Sequence, residues 1–168
     1  MTPWSPWDDS ITWRIPLFDT VSGIDADSGT GRPSFDPPEA WARALAAVAL
    51  DLRCLRHGRS VNLDRLVWDL SINGDYHVSV GWQRIRGLGG FGIGGGLTVD
   101  VSYGEAAAWV AEVVQDDLAG YEFVQWPSRG RHLLRPRLHG ADPVWVDPHG
   151  DVVLCPIGHL CENAGSWR

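Results

Sequence analysis

The chain has 168 residues, a formal net charge of −7 and three cysteines. That length supports one domain with a real core and no need of covalent staples. The charge argues against a general polyanion-binding surface, and so against nucleic acid as a partner, while leaving room for a local basic patch. No apolar run is long enough to span a bilayer, and the opening MTPWSPWDDS has no signal-peptide pattern. A cytoplasmic protein with no membrane partner is therefore expected, and Cys54, Cys155 and Cys161 do not read as a disulfide framework.

Residues 1–35 read as an aromatic arm and loop ahead of an α+β domain over 36–160. ITWRIPLF suits one short edge strand, because Pro16 cannot donate to a central ladder. The arm either lies across the domain or packs Trp4, Trp7 and Trp13 onto a second copy of the chain, which would make a homodimer. DADSGTG (residues 25–31) carries acids like a calcium loop but lacks the twelve-position spacing that ends in glutamate.

A helix is predicted over 36–57. Asp36 would be its cap, Pro37 its first residue and Glu39 the return partner of a capping box. Trp41, Leu45, Val48, Leu52 and Leu55 form its apolar face. Arg53, Arg56 and His57 suit the dipole at its C-terminal end, and Gly58 ends it.

Strands follow over 65–72 and 76–84. Leu66, Trp68, Leu70 and Ile72 alternate as one apolar set, and Tyr76, Val78, Val80 and Trp82 as another. A two-residue turn at Asn73-Gly74 would place the two sets on opposite faces. A three-residue loop, Asn73 to Asp75, aligns Ile72 with Tyr76, Leu70 with Val78 and Trp68 with Val80. It leaves Asp69, Ser71, His77 and Ser79 together on the other face, and a third strand over 97–101 would add Asp100. Serine, histidine and aspartate are the residue types of acyl transfer, and Asp69, His77 and Asp100 have the donor atoms of a metal site. The sequence has no G-x-S-x-G elbow, and a polar face is also what solvent exposure requires of an antiparallel sheet.

Residues 83–96, QRIRGLGGFGIGGG, match G-x-G-x-x-G at Gly87, Gly89 and Gly92, yet a strand rather than a helix follows, so no dinucleotide fingerprint is formed. The stretch reads as a long connection between strands, or as a flap with Phe91 and Ile93 as apolar contacts and Arg84 and Arg86 at its base for an anionic ligand. A second helix is predicted over 103–119, with a capping box at Ser102 and Glu105 and an αL cap at Gly120. Ala106, Ala107, Val110, Val113, Val114 and Leu118 form its apolar face, with Glu112, Gln115 and Asp116 opposite. Asp117 breaks the stripe near the C-terminus, where the dipole disfavours an anion. It either reaches solvent or an arginine at the last turn, or faces a pocket.

SRGRHLLRPRLH then concentrates Arg129, Arg131, Arg135 and Arg137, a loop able to meet phosphates, to balance the chain's own carboxylates or to meet a protein partner. A hairpin over 143–155 turns at DPHG. Cys155, His159 and Cys161 form the densest group of soft ligands, though C-x3-H-x-C is not a standard zinc spacing.

Trp126-Pro127, His132, Trp145-Val146 and Pro156-Ile157-Gly158 with Leu160 make residues 97–160 resemble small uncharacterised actinobacterial α+β proteins. Those carry W-P-x-C-P-x-H, a hairpin ending in W-V-C and a P-I-G-x-L close, the pattern of a degenerate zinc ribbon. Here Arg129 stands at the first cysteine and Asp147 at the last. The resemblance covers under half of the chain, implies no activity and counts against zinc at the tail. No cofactor is therefore predicted, zinc being the one candidate. The expected protein is a single α+β domain, an antiparallel sheet packed by two helices with a C-terminal hairpin. Its expected role is non-catalytic, accessory or regulatory, binding a protein partner or small ligand through the glycine-rich and arginine-rich segments. The rivals are a hydrolase or metal-dependent enzyme on the polar sheet face, and a structural homodimer.

Overall fold

The computed structural model describes residues 10–18, 33–55 and 62–163. They form one α+β domain of antiparallel sheets and helices. β1 (Ile11–Pro16), β2 (Val67–Ile72), β3 (His77–Trp82) and β4 (Phe91–Thr98) make a four-stranded sheet in the order β1-β2-β3-β4. α1 (Glu39–Leu52) and α2 (Tyr103–Tyr121) are the long helices. A short ladder, β5 (Ser128–Arg129) with β6 (His132–Leu133), leads to β7 (Arg135–His139), β8 (Asp142–Asp147) and β9 (Val152–Pro156), a three-stranded sheet closed by the short helix α3 (Leu160–Asn163). Among the described residues no helix is long and apolar enough to cross a membrane.

ITWRIP is an edge strand, as Pro16 requires. The arm's Trp13 is buried in the chain's own core, its indole N–H donating to the Phe35 carbonyl at 3.0 Å, so it is not free to pack on a second copy. Trp4 and Trp7 lie outside the described residues, as do DADSGTG, Arg56, His57 and Gly58.

α1 starts at Glu39, with Pro38 at the N-cap and no side-chain cap. The expected Asp36 cap fails because Pro37 precedes another proline, and that position is pushed out of the helical region. The helix ends at Leu52 rather than 57.

The apolar sets of β2 and β3 share a buried face, as parity demands. The register is shifted by two residues from the expected one: Ile72 faces Val78, Leu70 faces Val80 and Trp68 faces Trp82. The loop is longer because the Asn73 side chain accepts the N–H groups of Asp75 and His77, at 3.1 and 2.9 Å. Tyr76 adopts φ 63° and is 68% exposed. A shift of two keeps every side chain on its face. Trp68 and Trp82 then meet inside at 5.1 Å, and Trp82 meets Phe91 at 4.5 Å.

Residues 83–90 of the glycine-rich stretch connect β3 to β4, as expected, but its second half is a strand rather than a loop. FGIGGGLT pairs with β3 as the sheet's outer strand, and the chain leaves the sheet before Val99. Gly81 makes this possible, since a side chain there would strike the Phe91 carbonyl.

α2 has the full capping box at Ser102 and Glu105. It runs through Gly120 to Tyr121, and Phe123, at φ 56°, is the left-handed residue that turns the chain. α2 packs against α1 and also against β7 and β8, so its polar side is covered as well. Gln115, expected outside, is fully buried and donates to the carbonyls of Trp126 and Leu134, at 3.2 and 2.7 Å.

The end of α1 is joined to the three-stranded sheet and the turn that follows it through Asp51. Its fully buried carboxylate accepts three N–H groups: the Trp145 indole at 2.7 Å and the backbones of Gly158 at 2.8 Å and Leu160 at 2.9 Å. Burial pushes this carboxyl up from its ordinary value, and the three donors pull it back. Cys54 and Cys161 close the same junction as a disulfide, a bond that the reading of the cysteines as no disulfide framework does not anticipate.

Candidate functional site

A cleft of about 640 Å³ opens between the start of β4 and the last turns of α2. The strand side contributes Arg84 and the backbone from Gly89 to Ile93; the helix side contributes Asp117, Tyr121 and Glu122. A second recess of about 500 Å³ adjoins it along residues 84–89 and shares Tyr121 and Glu122. Arg84, Phe91 and Ile93, expected as ligand contacts, thus line one cavity, with Arg86 in the adjoining one. Both volumes lie in the range of small-molecule sites.

Gly89 ties the cleft wall to the end of α2. The Gly89 N–H donates to Glu122 Oε1 at 2.7 Å, and a side chain on Gly89 would occupy the place of that oxygen. The Gly89 carbonyl in turn accepts the Trp82 indole N–H at 2.8 Å. The wall is therefore fixed at one residue by a core tryptophan and by the helix end. Arg84, Gly90 and Gly92 present backbone and a cation, while Phe91 and Tyr121 supply rings.

Asp117 is the unusual member. It is 5% exposed, and no described residue donates a hydrogen bond to it. Loss of hydration, reinforced by the neighbouring Glu122 charge, pushes its carboxyl up to about 6. No described serine, threonine, cysteine or histidine lines the cleft; it offers two acids, a cation, a phenol and backbone. The broken apolar stripe signals Asp117 in the sequence. Tyr121 and Glu122 carry no such signal, because the helix continues past the glycine expected to end it.

The polar face of the four-stranded sheet holds the other expected site, and its parts are not brought together. Asp69 faces Gly81 and lies 3.6 Å from the Arg14 guanidinium; Ser71 faces Ser79 and shares a 2.8 Å hydrogen bond with Thr12. His77 pairs with Thr98 across β4. Asp100 lies beyond the strand rather than on its face, accepting the Thr98 hydroxyl. Among the described residues, no hydrogen bond links Asp69, His77, Ser79 and Asp100 to one another.

The tail group is likewise dispersed. Cys161 is bonded to Cys54, and burial pushes the Cys155 thiol up to about 12, so it stays protonated. His159 hydrogen-bonds Glu162 at 2.9 Å. Among the described residues no three histidines, cysteines or acids are grouped to hold a metal. The arginine segment is two short strands and β7 rather than a loop. Arg129 lies 3.5 Å from Asp147 and Arg137 3.5 Å from Asp151, while His132 stacks on His149 at 4.7 Å. Arg131 and Arg135 are exposed on the same segment, outside the cleft. Arginine has no lone pair to give a metal, so Arg129 does not fit the zinc that the ribbon pattern implies, and its guanidinium holds Asp147 at 3.5 Å.

No family model, no curated protein and no solved structure matches the chain.

Proposed function

We propose that the chain is a small non-catalytic binding protein of accessory or regulatory role, with its ligand or partner segment seated in the cleft between β4 and α2. One observation carries this reading: Asp117 lines the cleft, is 5% exposed and receives no hydrogen bond from the described residues. Such a group costs stability unless something else uses it. The glycine strand supports the reading, because it brings main-chain groups to the cavity without side chains in front of them.

The test is a screen of mixed small molecules and short peptides against the ¹⁵N-labelled chain. Ligands should move the amides of Gly89 to Ile93 and the Trp82 indole N–H together. A screen that moves other amides and leaves these still sinks the reading.

For the tail we propose a zinc-ribbon-like corner in which an ion pair stands in for ligands, in keeping with the actinobacterial resemblance. The 3.5 Å contact of Arg129 with Asp147 supports this, since it joins the two positions given to cysteine in that pattern. Arg129→Cys combined with Asp147→Cys should gain a tightly held zinc, and a double variant that binds none defeats the proposal. The compartment we propose is the cytoplasm. The Cys54–Cys161 bond weighs against it, because cytosolic thiols are kept reduced. Alkylation of intact cells followed by mass measurement decides: both cysteines blocked means a reducing compartment.

A further inference from the structure

We infer that the occupant of the cleft presents an organic cation, an alkylammonium or a guanidinium, to Asp117. The inference rests on the cleft being a binding site and adds the chemistry of what binds.

Three observations converge on it. Asp117 is a largely buried residue, lines the cavity and receives no donor from the described residues. A carboxylate in that state is completed by a charged donor, the strongest hydrogen-bond partner it can have. Glu122 lies close enough for its charge to act on Asp117, so the field at Asp117 favours a cationic occupant over an anionic one. Phe91 and Tyr121 line the same space, and aromatic faces attract organic cations.

A hard metal ion fits less well. Calcium takes six or more oxygens, whereas the cleft offers two side-chain carboxylates, and one oxygen of Glu122 is held by Gly89. The chain's net charge of −7 also draws cations toward it.

Binding is then coupled to pH. Among the described residues, the ionisable groups that line the cleft with Asp117 are Glu122 and Tyr121 from the end of α2 and Arg84 from the strand side. Protonation of Asp117, near pH 6, removes the charge that the ligand needs.

The experiment titrates the ¹⁵N-labelled full chain with benzylamine and butylguanidine, and separately with benzoate, benzyl alcohol and calcium chloride. The expected result is that the two cations move the Gly89 to Ile93 amides and the Trp82 indole N–H, and the other three do not. Asp117→Asn should weaken cation binding about tenfold at neutral pH, the worth of one charge-assisted bond. Glu112→Gln, the same loss of charge on the exposed side of α2, should leave binding unchanged.

Equal weakening in both variants overturns the inference, because net charge alone then explains the attraction. Movement by benzoate or benzyl alcohol without the cations overturns it too, yet leaves the cleft a binding site. Calcium acting alone on these amides overturns the choice of an organic cation. No movement with any probe or in the wider screen ends both readings. If Asp117→Asn does not fold, the wild-type pH series decides. Cation affinity must fall as pH drops below about 6, and a constant affinity through that range overturns the proposal.

Discussion

Two aspartates near the C-terminal ends of the two long helices meet opposite surroundings. Asp51 is fully buried and holds three N–H groups from a tryptophan and a loop of the second sheet. Asp117 is almost as buried and holds none from the described residues. The first carboxylate is a structural node, since all its donors come from its own chain. The second is a cost carried by the fold. Burial alone therefore does not separate the two acids; their partners do.

The largest expected effect comes from breaking the satisfied acid. Asp51→Ala strips three buried donors of their acceptor and should lower unfolding stability by about 4 kcal/mol, read from urea denaturation. Trp145→Phe removes one of the three bonds and should lose about 1–2 kcal/mol. If Asp51→Ala unfolds at the wild-type urea midpoint, the node is not one.

Asp117 should respond in the opposite direction. Its carboxyl titrates near 6 in the folded chain, against an ordinary value of 3.8 for an aspartate in the unfolded chain. The folded protein thus binds more protons than the unfolded one between those values, and stability falls as pH rises through the window. Above it the ionised group costs up to about 3 kcal/mol. Asp117→Asn should recover a good part of that at pH 7 and little below pH 3.8. A gain that is constant with pH would mean the carboxyl is not the source.

Gly89→Ala tests the wall between the strand and the helix end. Its methyl displaces Glu122 and removes one backbone hydrogen bond, for about 1 kcal/mol of stability, and it should shift the Trp82 indole resonance. The smallest effect belongs to the sheet face. Arg14→Ala breaks a solvent-exposed pair with Asp69 and should change stability by less than about 0.5 kcal/mol in a thermal melt.

The same contrast shows which features the residues disclose. The fold class is legible because parity places Leu70 and Val80 on one face and because Ser102 and Glu105 announce α2. β4 is not, since FGIGGGLT has too few side chains to carry a period and is made a strand by pairing with β3. The register depends on the Asn73 side chain, which lengthens the loop without changing any face. Asp117 is visible as an acid in an apolar stripe. Asp51 sends the same signal, seven residues after Ala44 and three after Val48, but its partners lie about a hundred positions away and nothing local points to them. Gln115 looks exposed until a second sheet covers the helix.

That separation bears on synthesis at the ribosome. The donors to Asp51 follow it by 94, 107 and 109 positions, so an emerging chain carries an unsatisfied acid in α1 until residues 145–160 clear the exit tunnel. Contacts this distant slow folding. A nascent chain arrested before Trp145 should stay open to protease, however complete its four-stranded sheet.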